Sequence, residues 1–313
     1  MRFTVALTPT LALAFAASAV IIDTDDGTGN LTAPMPYVSH VGRRGSLSAV
    51  YLGDGTVLTA NHVGAGDVVI EGIVYPWIPG SALRLQNEDG SDTDLLLFAI
   101  EPRPGLESLP IAETPPPYGS FLVTSGNGRN RGGATAWDPN GPYPPELTEG
   151  YYWAAGHSLR WGTNSIEVFP PGRVFGTEAF GSLFQPGAVG YEAQAVPGDS
   201  GGAAFAWRPE SSDFALAGLM IAIVQYSGQP SGTTFYGQTT YYADLAWYRD
   251  DILDAMAMPE PGGGLPAGAA LLAALRGRPR RRRARASRDQ LPHQSRLRSS
   301  ETASASVPCS PSG

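Results

Sequence analysis

Cysteine is almost absent from this chain of 313 residues, and the single one, Cys309, lies near the C-terminal end. No internal disulfide can form, so the apolar core must hold the fold by itself. Lysine is missing altogether, and all 21 basic residues are arginine. That is a composition effect, and no function is read from it. Basic charge is also scarce where a polyanion would need it. Ten arginines lie between Arg276 and Arg298, and residues 1–275 carry 11 Arg against 27 Asp and Glu, a net of −16. A body this acidic excludes nucleic acid as a partner, because phosphate binding requires basic surface. The apolar run Phe214 to Gln225 is too short and too interrupted to cross a membrane, and it reads as a buried strand. Glycine (39) and proline (28) are plentiful instead. With few charges, they favour an all-β, turn-rich protein of one large or two small domains.

The stretch Pro197-Gly198-Asp199-Ser200-Gly201-Gly202 organises the rest. Gly198 permits unusual backbone angles and close approach of a substrate. The N–H groups of Gly198 and Ser200 can then point together at a developing oxyanion. The two glycines after Ser200 read as clearing space around its hydroxyl. A serine hydroxyl is a poor nucleophile alone, so this reading requires a base and an orienting acid elsewhere. Upstream, the apolar strand Val57-Leu58-Thr59-Ala60-Asn61 ends in His62. Between the two, Asp94 opens the apolar run Leu95-Leu96-Leu97-Phe98-Ala99-Ile100. Asp92 competes for the acid role. Asp94 is preferred because it stands at the mouth of a buried strand, where a carboxylate can be desolvated and held.

Along the chain the order is His, Asp, Ser, which is that of the chymotrypsin type. The three local patterns resemble those of the trypsin/chymotrypsin-like serine proteases, roughly T-A-A-H, D-[IL]-x-L-[LIF] and G-D-S-G-G. Asn61 departs from the usual small residue before the histidine. The resemblance covers residues 20 to 257 and is thin between the motifs. It implies two six-stranded antiparallel β-barrels with a C-terminal helix, and a cleft between them holding His62, Asp94 and Ser200. It also places the base of the specificity pocket six residues before the nucleophile, at Gln194. A neutral side chain there implies no preference for Arg or Lys at the cleaved bond.

Residues 1–19 read as a secretory signal: Arg2, then a mostly apolar stretch, then Ala17-Ser18-Ala19 as a cleavage site. Cleavage there would create an N-terminus at Val20. In many members of the family a new apolar N-terminus folds inward, and its ammonium pairs with the aspartate before the nucleophile, here Asp199. No Arg-Ile-Val-Gly-Gly activation site is visible, so signal cleavage itself would supply that N-terminus. Residues 23–30 form an acidic, glycine-bearing loop that lacks the closing glutamate of a calcium loop and reads as a solvated turn.

Residues 20–102 are read as the first barrel, with strands at 46–52, 56–59, 67–75, 82–85 and 94–100. The proline-rich residues 103–118 read as the linker between halves. Residues 119–257 hold the second barrel. It starts with the strand 119–126 and is loop-rich over 127–150. Residues 151–155, 165–169 and 173–175 read as strands or ordered loops, and a helix is expected over 245–256. His157 reads as structural. Residues 258–285 combine Pro259-Glu260-Pro261, a triple glycine, an apolar stretch and an arginine cluster. They resemble a PEP-CTERM sorting signal of Gram-negative bacteria, or simply a basic tail. Residues 286–313 are polar and low in complexity.

These features imply a secreted or surface-bound serine endopeptidase acting on protein or peptide substrates. Its C-terminal segment would anchor it transiently in the membrane for a sorting peptidase. No cofactor or metal ligand is assigned. Two alternatives stay open: an inactive surface-anchored homologue acting as a binding module, and an esterase using the same three residues.

Overall fold

The structure is a computed structural model that describes residues 20–24, 36–139 and 147–257. The expected leader, most of the acidic loop and the whole segment from 258 onward lie outside the described residues.

The chain is almost entirely antiparallel β-structure. After β1 (Ile21–Ile22) and a 3₁₀ turn (Pro36–His40) come seven strands of one sheet. These are β2 (Val41–Arg44), β3 (Leu47–Gly53), β4 (Thr56–Ala60), β5 (Val68–Ile70), β6 (Ile73–Tyr75), β7 (Leu83–Gln86) and β8 (Asp92–Ala99). Their spatial order is β6-β5-β2-β3-β4-β8-β7. The second half holds β9 (Phe121–Gly126), β10 (Arg129–Trp137), β11 (Thr148–His157), β12 (Arg160–Ser165), β13 (Ala179–Leu183) and β14 (Ala193–Gln194). It continues with β15 (Ala203–Arg208), β16 (Asp213–Ile223), β17 (Thr233–Phe235), β18 (Thr239–Asp244) and the helix α1 (Leu245–Met256). Six of these form a sheet ordered β12-β9-β15-β16-β18-β13. This is the chymotrypsin-like double β-barrel with its C-terminal helix.

The strands flanking the site are apolar on both faces, and the reason is visible in the core. In β8, Leu95 and Leu97 join Val50, Leu52 and Leu58 in a cluster that also takes Val123, Phe205 and Leu216 from the second half. The alternate residues Leu96 and Phe98 pack with Tyr51 and Val57 in a separate cluster of the first half. Side chains alternate across a strand, so a strand with cores on both sides reads as a continuous apolar run. Each such buried side chain contributes about 1.5–3 kcal/mol relative to exposure.

The linker region is strapped to both halves. Leu109 N–H donates to Leu52 O at 2.9 Å, Leu216 N–H to Pro110 O at 2.8 Å and Ala112 N–H to Leu216 O at 3.0 Å. In α1, Leu245, Tyr248 and Ile252 are buried on one face, whereas Leu253 is substantially exposed.

Two expectations are corrected. Residues 67–75 are not one strand but the β5–β6 hairpin, folded at Glu71 and Gly72, which both have positive φ. This raises the strand number of the first sheet to seven. Residues 127–150 are not merely loop: β10 pairs with β11 in a long hairpin, and β17 adds to it as a third strand. Much of β10 is solvent-facing, so no apolar alternation marked it in the sequence. Of the two readings left open for residues 173–175 the ordered loop holds, with an isolated bridge between Val174 and Thr177.

Candidate active site

β4 and β8 are neighbours, and Ala60 stands opposite Leu95. The chain leaves β4 two residues before His62, and Asp94 is one residue before Leu95. The register alone therefore brings the two side chains together. Asn61 N–H donates to Asp94 O at 3.1 Å, and His62 N–H donates to Asp94 Oδ1 at 3.0 Å. The other carboxylate oxygen, Oδ2, lies 2.7 Å from His62 Nδ1. A carboxylate only accepts, so Nδ1 carries the proton and Nε2 is left as the free nitrogen. The Asp94 side chain is 8% exposed and that of His62 44%. The hydrogen bond from Asp94 raises the His62 pKa above its ordinary 6.5, against the opposing effect of burial.

Asp92 does something else. It is exposed and ion-paired with Arg84 Nη1 at 2.9 Å. Asp94 is braced from the second half, where its N–H donates to Thr177 Oγ1 at 2.7 Å. The segment carrying Thr177 is itself fixed. Asn87 Nδ2 donates to Gly176 O at 2.8 Å, and Tyr248 Oη, from α1, donates to Asn87 Oδ1 at 2.8 Å.

Ser200 sits in a turn stitched to the first barrel. Ser48 N–H donates to Ser200 O at 2.9 Å, and Ser48 Oγ donates to Gly198 O at 2.9 Å. Thr59 Oγ1, three residues before His62, donates to Ser48 O at 2.8 Å. So the serine turn and the histidine strand grip the same buried residue. Ser200 Oγ makes no hydrogen bond among the described residues. In ligand-free sites of this chemistry such contacts commonly tighten only with substrate.

The amides of the turn divide into two sets. Asp199 N–H donates to Val196 O at 3.0 Å, Gly201 N–H to Met220 O at 2.9 Å and Gly202 N–H to Asp199 O at 2.7 Å. Gly198 N–H and Ser200 N–H have no acceptor among the described residues. Gly198 has φ +110°, a conformation that suits glycine. The glycine after the serine has a different job from the one expected. A Cβ on Gly201 would lie 2.2 Å from Ser48 O and 2.3 Å from Thr59 Oγ1. It allows backbone contact between the halves rather than room around the hydroxyl.

Asp199 is fully buried. Its Oδ1 accepts from Gly128 N–H at 2.7 Å and its Oδ2 from Val196 N–H at 2.8 Å, and the Val20 amide also donates to it. Burial nonetheless pushes its pKa up to about 7. Val20 is itself buried, and β1 pairs with β14, Ile21 opposite Gln194. Gln194 is fully buried, and its side-chain oxygen and nitrogen have no hydrogen-bond partner among the described residues.

Sequence reading missed Ser48, Thr177 and the Asn127–Gly128 turn. None lies in a recognisable motif. Gly126-Asn127-Gly128 is a turn signal that could have marked a tight bend, but not its contact with Asp199.

These features set a paired histidine and aspartate beside a serine turn in a chymotrypsin-like double β-barrel. Among solved structures the chain is similar to neuropsin, a serine protease expressed in the limbic system of mouse brain. The identity is 17%, over 73% of this chain and 98% of that one, with a TM-score of 0.48. It is also similar to a mutant of human heparin binding protein, at 15% identity over 75% of this chain and 99% of that one, also at 0.48. No family model matches the chain, and no curated protein matches it.

Proposed function

We propose that this protein is a serine endopeptidase that hydrolyses peptide bonds through an acyl-enzyme. The observation that carries the reading is the His62 Nδ1–Asp94 Oδ2 contact of 2.7 Å, set beside a serine turn with two open amides. Ser200 Oγ attacks the scissile carbonyl. His62 takes its proton at Nε2 and delivers it to the leaving amine. Asp94 fixes the histidine tautomer and stabilises the imidazolium. Gly198 N–H and Ser200 N–H receive the oxyanion, where charge develops in the transition state. Gln194 forms the base of the specificity pocket, and its neutral amide suits a neutral side chain at the cleaved bond. Substrates are proteins or peptides. The leader directs the protein out of the cell, and the C-terminal segment holds it at the outer envelope until sorting.

The direct test is labelling of the secreted protein by a fluorophosphonate probe, followed by turnover of matched peptide and ester substrates. Wild type is expected to label, Ser200→Ala is not, and the peptide is expected to turn over. Well-folded wild type that neither labels nor cleaves would make the protein an inactive binding module. Cleavage confined to esters would move it to the esterases.

A second expectation concerns Asp94. Asp94→Asn should lower kcat by about 10⁴-fold, because the amide favours the wrong histidine tautomer. The sign of the pH effect also follows. Asp94 raises the His62 pKa, and only neutral His62 accepts a proton. Removing the carboxylate lowers that pKa, so the acid limb of the kcat/KM profile moves to lower pH. An acid limb that stays in place would detach it from the His62–Asp94 pair.

A further inference from the structure

The turn between β9 and β10 holds the serine loop through three successive amides. Asn127 N–H donates to Ser48 Oγ at 2.8 Å, and Ser48 Oγ in turn donates to Gly198 O at 2.9 Å. Gly128 N–H donates to Asp199 Oδ1 at 2.7 Å. Arg129 N–H donates to Pro197 O at 3.0 Å. The last bond has a particular consequence. Pro197 O and Gly198 N–H belong to one planar peptide and point in opposite directions. Anchoring the carbonyl on Arg129 therefore aims the Gly198 N–H away from it, into the site.

One side chain governs the other side of this turn. His157, at the end of β11, places Nδ1 3.1 Å from Asn127 O. A carbonyl only accepts, so Nδ1 is the donor. Asn127 O and Gly128 N–H share a peptide group, so the chain runs from the imidazole N–H through that peptide to the Asp199 carboxylate. Hydrogen bonds linked through one polarisable group strengthen each other. The ring also stands beside the serine loop. A Cβ on Gly198 would meet His157 Nδ1 at 2.8 Å and Gly128 Cα at 2.8 Å. Gly198 is thus held between the imidazole and the turn.

We propose that His157 is a positioning residue for the oxyanion-binding peptide: it fixes the 127–129 turn through Asn127 O and thereby the direction of the Gly198 N–H. This rests on the endopeptidase reading for its kinetic consequence but not for its structural one.

The test uses the secreted protein, its leader removed, with His157→Ala and His157→Asn, the asparagine amide N–H standing where Nδ1–H stands. For His157→Ala, kcat on a peptide substrate is expected to fall about tenfold, the scale of a small misplacement of a catalytic group, with KM little changed. Affinity for a peptide aldehyde, whose adduct carries the oxyanion, should fall in parallel. Amide hydrogen exchange at Gly128 and Arg129 should quicken. His157→Asn should recover most of each effect. A rise in KM with kcat intact would make His157 a substrate contact and overturn the proposal, as would unchanged exchange in His157→Ala. If wild type itself cleaves nothing, the endopeptidase reading fails. The exchange measurement then decides the clamp alone: quicker exchange supports it and unchanged exchange refutes it.

Discussion

Ser200→Ala is expected to lower kcat by about 10⁶-fold, His62→Ala by a similar factor, and the double variant by no more than either alone. The size follows from the chemistry. An unactivated hydroxyl scarcely attacks an amide, and a histidine without its nucleophile has nothing to deprotonate. The two act as one unit, so the losses do not add. What survives is the contribution of the open Gly198 and Ser200 amides and of substrate binding, about 10³-fold over water. Stability should hardly move, because Ser200 Oγ makes no hydrogen bond among the described residues and the turn is held by its backbone. Steady-state rates on a peptide, with thermal unfolding beside them, check both halves. Independent, multiplicative losses would show that Ser200 and His62 do not share a proton, and the mechanism proposed here would fall.

The contact between His62 and Asp94 was legible in the sequence, and the reason is local. A strand buried on both faces announces itself as a continuous apolar run, so β4 and β8 could be located. The residues at their ends then stand out by contrast. Asp94 against Asp92 was decided by the same logic, since a carboxylate at the mouth of a buried strand is desolvated and one a turn outside is free to pair with Arg84. The supports were not legible. Ser48 is one serine in an apolar strand, and nothing near it says that its hydroxyl donates to Gly198 O and accepts from Asn127 N–H, both far along the chain. Thr177 and His157 are equally anonymous, because their partners are set by register and by the packing of two halves. The β10–β11 hairpin failed for another reason: its exposure removes the apolar alternation on which strand reading depends. Gly201 was noticed but misread, since a glycine needed for backbone contact and one needed for an open site look alike in sequence.

Asp199 carries the second large effect. Among the described residues this buried carboxylate has only amide donors, and burial pushes its pKa up to about 7. A folded pKa raised above the ordinary 3.8 means that the unfolded chain ionises first. The group therefore supports folding below about pH 4, and that support is lost as pH rises through about 7. We propose that cleavage after Ala19 turns the Val20 amide into an ammonium at the same place and reverses the balance. The charged carboxylate is then paired, its pKa falls, and the serine turn is stabilised at neutral pH. Removing one partner of a buried ion pair costs about 3–5 kcal/mol. Either a leader-retaining protein or Asp199→Asn should thus lose roughly 10²- to 10⁴-fold in kcat/KM if that cost falls on the active turn. The leader-retaining form should also lose thermal stability between pH 4 and 8 relative to the cleaved form. N-terminal sequencing of the active protein, with rates and melting curves for the two forms, tests the chain of reasoning. An active enzyme starting far downstream of Val20, or equal activity with the leader attached, would leave the Val20 contact with Asp199 a matter of packing alone.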